Sequence, residues 1–477
     1  MGYDAVVVGS GPNGLSAAVT LAEAGLSVCV LEKCATAGGG ARTAELTLPG
    51  CRHDVCSAVH PLGVGSPFFR RLPLTRYGLR WIHPPIPMAH PFDDGTAAAL
   101  FNDIDQTAAT LGEDGPAYTR SLLPIVRAWD KIEDQVLGPF SVPRHPFEMA
   151  RFGLIALQSA AGFARRRFRG EKGRGLWAGL AAHSMLPLDS LVTSAVPVVL
   201  AVLAHRVGWP FPESGAGRLS EALVSYLVSL GGEVRTSHPV SHLADLPPSR
   251  VVLLDLSPKP VLELAGAEFR ESYRRQLQRY QYGVGVFKLD LVIEGRIPFR
   301  AAECGDAGTV HLGGSLREIA EAERTAWEGR HSAKPFVLLS QPSRFDRTRA
   351  PEGLETIWTY CHVPAGSNQD MTEAIENQIE RFAPGFRRQI RARSAMTAED
   401  FERYNPSYIG GDINGGVQNW RQIYARPALK FCPYATSDPS LFICSSSTPP
   451  GGGVHGMCGY HAARAVLSRV FKKAALG

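Results

Sequence analysis

The chain has 477 residues, 44% of them hydrophobic, enough to bury a sizeable core in one large domain or two interleaved ones. Its formal net charge is +5 with no long run of either sign, so nucleic acid is not an implied partner. Nine cysteines, an odd number without zinc-type C-x-x-C pairs, speak against a disulfide framework and against a metal site.

Tyr3 to Val8 reads as a fully buried parallel strand that ends in Gly9-Ser10-Gly11-Pro12-Asn13-Gly14. Leu15 to Ala24 then carries small and apolar residues at helical spacing, Val28 to Leu31 is a second strand, and Glu32 closes it. This order is a nucleotide-binding βαβ unit. Gly9 permits the tight turn, Gly11 lets backbone approach a diphosphate without a Cβ in the way, and Gly14 allows close helix–sheet packing. The diphosphate is expected on the unpaired N–H groups and positive dipole end of the helix, and a ribose 2′-OH on the Glu32 carboxylate. NAD and FAD both fit such a unit. A second glycine cluster follows in Gly38-Gly39-Gly40-Ala41-Arg42-Thr43. A strand beginning at Tyr3 leaves no room for a cleavable signal peptide, and no apolar stretch reaches membrane-spanning length, so a cytoplasmic location is expected.

Cys51 and Cys56 have the C-x4-C spacing of flavin-linked dithiols, but they lie well beyond Gly39. With no second nucleotide fingerprint downstream, neither a dithiol role nor direct use of NAD(P)H is expected. Phe152 to Phe163 is apolar and Arg165-Arg166-Arg167-Phe168-Arg169 follows at once. That pattern fits an interfacial helix making peripheral membrane contact, or a core helix with a solvated basic end, which is the preferred reading. Ala195 to Ala204 is short and contains Pro197, which suits a buried helix or cavity wall. Leu219 to Leu230 is an amphipathic helix ended by Gly231-Gly232, and Glu233 to Thr236 and Val251 to Leu254 are further strands.

In Tyr282 to Ile293 a period of two puts Phe287, Leu289, Leu291 and Ile293 on one face and Lys288 and Asp290 on the other. A lysine in so apolar a strand needs a polar destination, either solvent shared with Asp290 or a catalytic site. Asp412 and Asn414 lie between Gly410-Gly411 and Gly415-Gly416, where backbone must come close to a partner or make a tight surface turn. Leu441 to Cys444 is a strand, and Pro449-Pro450-Gly451-Gly452-Gly453-Val454-His455-Gly456 then feeds a helix from Met457 to Phe471. Such a turn is a second anion-binding arrangement, suited to the electron-rich edge of a reduced flavin. His455 within it could hydrogen-bond a flavin or protonate a substrate carbanion, or pair with backbone at the helix start.

The second glycine cluster, close behind the acidic strand end, resembles flavoproteins of the amine-oxidase and phytoene-desaturase superfamily. The tail Pro450 to Tyr460 and the stretch from Tyr404-Asn405-Pro406 to Gly416 are most similar to its branch of pyridine nucleotide-disulphide oxidoreductase domain-containing proteins. The resemblance runs along nearly the whole chain. It implies an α/β fold in which a Rossmann-type FAD-binding domain (residues 1–75, 212–265 and 434–477) is interleaved with an α+β substrate domain containing a mixed sheet (76–211 and 266–433). It implies FAD as the only redox cofactor, held by Gly9, Ser10, Gly11, Pro12, Asn13 and Gly14, by Glu32 and Lys33, and by Gly39, Gly40, Ala41 and Arg42. Val240 would meet the adenine through its backbone, and Gly452, Gly453, Val454 and His455 the isoalloxazine.

The candidate catalytic residues are Lys288, which resembles the amine-oxidase lysine that holds a water at flavin N5, His455 and Asp412. His53, Asp54 and His60 lie where relatives line the cavity near the flavin. The implied activity is removal of hydride from a small apolar, polyene-like or cyclic organic substrate, by desaturation or with redox-neutral isomerisation. A flavin amine oxidase and a non-catalytic flavin-binding or assembly protein are the alternatives. Three departures stand out: Gly40 replaces the arginine of the amine-oxidase Gly-Gly-Arg motif, with Arg42 nearby. Gly451 to Gly453 offers no aromatic wall for an amine-binding cage, and Ser445 stands where a glycine is usual. Oligomeric state is left open.

Overall fold

The computed structural model describes residues 2–473, organised around two large sheets. The first is five-stranded and parallel, in the order Leu441–Ile443, Ser249–Leu254, Tyr3–Val8, Val28–Leu31, Glu233–Arg235. Tyr3–Val8 is central and is covered on both faces, which is why Ala5 to Val8 form an unbroken apolar run. Gly9, at φ +99°, turns the chain out of this strand, a conformation that side chains with a Cβ rarely adopt. Helix Pro12–Glu23 follows. It starts before the apolar spacing does, because Pro12 occupies the first turn, where its missing N–H leaves no bond unmade. Helix Met457–Arg469 packs backbone to backbone on it: a Cβ on Gly459 would strike the Asn13 carbonyl. This contact brings the end of the chain beside the first glycine loop.

The second sheet is mixed and seven-stranded, in the order Ile390–Met396, Gly285–Glu294, Leu354–Val363, Val337–Ser340, Ala307–Leu312, Ile86–Pro91, Ala97–Leu100. Only the pair Ala307–Leu312 and Ile86–Pro91 is parallel. One face packs Phe287, Leu289, Leu291 and Ile293 with Ile357, Leu339 and Val310 beneath helix Thr372–Phe382. On the other face the register sets Lys288 beside Tyr360, Asp290 beside Trp358, and Tyr360 beside Leu338, which neighbours His311. The alternation follows the sequence pattern, but the second face does not meet solvent. Lys288 and Asp290 are each 1% exposed, and helices Glu171–Ala182 and Ala195–Val207 join Trp358, Tyr360 and Leu338 in one core.

The stretch from Phe152 to Phe163 is not one helix. Helix Pro146–Ala156 ends, Ser159 caps a second helix, Ala160–Arg167, by accepting a hydrogen bond from the Gly162 amide at 3.2 Å, and the chain changes direction between them. Ala160, Ala161, Phe163 and Ala164 are core residues, while Phe147, Leu154 and Leu157 are exposed. Among the described residues no helix is long and apolar enough to cross a membrane.

Candidate functional site

A cavity of about 660 Å³ extends from the carboxyl edge of the parallel sheet to the polar face of the mixed sheet. Its nucleotide end is built by the first glycine loop, and the residues around it leave room only for backbone. A Cβ on Gly11 would lie 2.6 Å from Asp255 Oδ2, and one on Gly39 would lie 2.9 Å from the Gly11 Cα. A Cβ on Gly40 would strike the Tyr408 hydroxyl, which accounts for glycine in place of arginine at that position. Arg42, two residues on, reaches Glu32 at 3.3 Å and the Tyr404 hydroxyl at 3.4 Å.

Glu32 is buried. Its Oε2 accepts from the Ser10 amide at 3.1 Å and hydroxyl at 2.6 Å, and its Oε1 from the Cys34 amide at 2.9 Å. Burial works to raise its pKa, but these donors and Arg42 outweigh it and hold the carboxylate below the usual value. Asp255, at the end of strand Ser249–Leu254, behaves oppositely. Burial pushes its pKa up from 3.8 to about 7, against the hydrogen bond its Oδ2 accepts from the Gly14 amide at 2.9 Å.

Of the residues anticipated for the cofactor, Gly9 to Asn13, Glu32, Lys33, Gly39 to Arg42, Val240, Gly453 and Val454 line the cavity. Gly14 lies behind the loop. Gly452 is also set back, where a Cβ would come within 2.8 Å of Asn414 Oδ1. Ser445 lines the cavity, and its hydroxyl donates to the Leu256 carbonyl at 2.7 Å. Cys51 and Cys56 are free thiols; Cys56 lies on the wall, and burial pushes its thiol up to about 12, away from the reactive thiolate.

The anticipated catalytic residues are not on the wall. Asp412 accepts from the amides of Gly283, Asn414 and Gly416 at 2.7, 2.8 and 3.0 Å, so its carboxylate clamps the loop that presents Ile413 and Asn414 to the cavity. His455 is fully buried, its Nδ1 accepting from the Met457 amide at 3.0 Å and its carbonyl from the Ser66 hydroxyl at 2.6 Å. Lys288 pairs with Asp290, whose other oxygen lies 3.4 Å from His53 Nδ1. Asp54 is tied to Arg349 at 3.0 Å and to the Ala216 amide at 2.7 Å, and of the early trio only His60 faces the cavity.

The substrate end is formed by Leu200, in the stretch read from the sequence as a buried helix or cavity wall, and by residues the sequence patterns did not single out: Met185, Trp209, Leu338, Trp358 and Tyr360, with His183 and Thr309. Alternation within Leu354–Val363 places Trp358 and Tyr360 on one face, but only the sheet register shows that this face meets the cavity. Among the described residues at this end none is acidic.

A glycine cradle at the carboxyl edge of a parallel sheet, opening into an apolar chamber on a second domain, defines a dinucleotide-binding protein with a separate substrate domain. Residues 7–72 match the family model of the NAD(P)-binding Rossmann-like domain. The chain is 26% identical to pyridine nucleotide-disulfide oxidoreductase domain-containing protein 2 of Mus musculus, over 98% of this chain and 93% of that one. It is 23% identical to phytoene desaturase (lycopene-forming) of Pseudescherichia vulneris, over 95% and 96% of the two chains. The structure of cyclohexylamine oxidase from Brevibacterium oxydans superposes with a TM-score of 0.62 at 16% identity, covering 99% of this chain and all of that one. The first βαβ unit is thus a Rossmann-like dinucleotide-binding fold, and along nearly its whole length the chain is similar to proteins of the phytoene-desaturase and amine-oxidase fold.

Proposed function

We propose that this protein binds FAD and takes hydride from a neutral, largely apolar organic substrate, desaturation being the leading reaction and isomerisation its redox-neutral counterpart. The observation that carries this reading is the single cavity joining the glycine cradle to Leu338, Trp358, Tyr360 and Met185. Gly9 to Asn13, Glu32, Arg42, Val240 and Val454 would hold the cofactor, which supplies a hydride acceptor when bound. The chain's own task is then to exclude water and align a C–H bond, and the aromatic and aliphatic wall does both. Lys288, Asp412 and His455 serve as positioning residues. Lys288 acts through Tyr360, its neighbour across the strands, Asp412 through the loop it clamps, and His455 through the turn that carries Val454. The interleaved domain division drawn from the sequence belongs to the same reading, since the parallel sheet takes its strands from three separated stretches.

An amine oxidase is the weaker alternative, because a protonated amine entering the substrate end would meet no carboxylate among the described residues there. Peripheral membrane contact is also part of the proposal. Phe140, Phe147 and Leu154 are 83%, 86% and 73% exposed, and Arg144 and Arg151 lie among them.

Purified protein should be yellow, absorbing at about 370 and 450 nm with FAD near stoichiometric occupancy. An anaerobic screen of unsaturated and cyclic compounds should then find one that bleaches the flavin, whereas simple amines and polyamines should not. Colourless protein that cannot be reconstituted with FAD overturns the reading.

A further inference from the structure

The carboxyl group of Asp255 stands inside the first glycine turn. Asp255 follows strand Ser249–Leu254, and a Cβ on Gly9 would lie 3.2 Å from its own Cβ, while one on Gly11 or Gly14 would lie 2.6 or 3.0 Å from its Oδ2. Oδ2 accepts from the Gly14 amide at 2.9 Å, and an amide N–H only donates, so when the acid is protonated its proton falls on Oδ1. Oδ1 bonds no described residue, and Asp255 is partly exposed on the cavity wall. The diphosphate of a dinucleotide must approach backbone at this same turn. Two anions would then share it, with no cation between them. Among the described residues the ionisable groups facing Asp255 are Glu32, Tyr408, Cys444 and Cys458. Burial keeps the phenol and both thiols neutral, while Glu32 is a carboxylate with its own partner in Arg42 at 3.3 Å.

We propose that Asp255 is a cofactor-binding residue that works as the neutral acid: its Oδ2 caps the glycine-loop helix while the proton on Oδ1 is donated to a phosphate oxygen of the bound dinucleotide. An O–H to a phosphate oxygen is a charge-assisted hydrogen bond, whereas the ionised carboxyl would repel the diphosphate at the same point. Burial pushes the acid up to about 7 before any ligand arrives, so about half of the molecules carry the proton at pH 7. A diphosphate beside it raises it further. Binding above pH 7 therefore moves one proton from solvent onto Asp255, no bond in the cofactor changes, and affinity falls as pH rises. Below pH 7 the proton is increasingly present in free and bound protein alike, and affinity levels off. The inference rests on the FAD reading only for which dinucleotide is bound, since NAD carries the same diphosphate.

The test is titration of the cofactor-free protein with FAD, followed by flavin fluorescence, from about pH 7 to 8.5. The parent's affinity should fall about tenfold across that range. Asp255→Asn offers an oxygen to the Gly14 amide and an N–H to the phosphate without titrating, and should bind FAD without that loss. Other wall groups such as His238 are common to both proteins, so the difference in slope belongs to Asp255. A second readout needs no variant: binding heats measured at about pH 8 in two buffers of different ionisation enthalpy should count close to one proton taken up per FAD. A parent affinity that is flat with pH, binding without proton uptake, or the parent's slope retained in Asp255→Asn overturns the proposal. Binding of NAD in place of FAD with the same pH slope would sink the flavin reading and uphold Asp255, and FAD bound with no slope would do the reverse.

Discussion

The Gly14 amide donates to Asp255 Oδ2 at 2.9 Å, so a carboxyl group from a distant strand caps the helix that the glycine loop opens. The local N-cap, Gly11, has no side chain to do so. The cap has a pH signature. Below pH 3.8 folded and unfolded chains both hold the proton; between 3.8 and about 7 only the folded chain does; above about 7 neither does. Here the folded state binds more protons, so this residue's contribution to stability falls as pH rises through that window and then levels off. Asp255→Asn should remove the trend. Thermal melts of parent and variant compared across the window check it, and parallel curves would refute it.

Buried histidines impose the reverse slope. Burial lowers His60, His205 and His461 from 6.5 to about 4. Between those values the unfolded chain is protonated and the folded chain is not, so stability is full above pH 6.5 and is lost as pH falls toward 4. His205→Gln, which can keep a partner for the Tyr118 hydroxyl now 2.8 Å from Nε2, should flatten this loss in urea titrations at stepped pH.

Glu32 is both an organiser of its loop and the expected ribose partner. Glu32→Ala should weaken FAD binding by about 1–3 kcal/mol, read by fluorescence titration of the cofactor-free protein. Unchanged affinity would remove the ribose role.

Lys288 and Asp290 must be tested together. Lys288→Met leaves the Asp290 carboxylate buried beside His53 without its ammonium partner, and should cost about 3–5 kcal/mol of stability. Lys288→Met combined with Asp290→Leu should recover most of that loss, because no unpaired charge is then buried. If the double variant keeps its flavin but is reduced at least about tenfold more slowly by a substrate, Lys288 also shapes the cavity. A single variant as stable as the parent would show that the pair is not closed as described.

Exposed apolar side chains on helix Pro146–Ala156 give the membrane proposal its test. The protein should sediment with anionic lipid vesicles, and Phe147→Ser with Leu154→Ser should release it without changing the melting temperature, since both side chains lie in solvent. Equal sedimentation of parent and variant would refute this contact.

The nucleotide half of the site is legible in the sequence because its causes are local. Gly9, Gly11, the buried valines of Tyr3–Val8 and Glu32 all belong to one short βαβ unit, and each is explained by its near neighbours in the chain. The period of two across Phe287 to Ile293 is equally local, and it holds. What the pattern leaves open is which neighbour covers the second face, because alternation states only that two faces differ. Tertiary structure decided that Lys288 meets Asp290 in the core rather than water, that Asp255 caps a helix more than half the chain away in sequence, and that His183 meets His311 at the substrate end. Those relations depend on strand register and helix packing between distant segments. A slip of one residue would turn Leu338, Trp358 and Tyr360 away from the cavity without altering any local propensity.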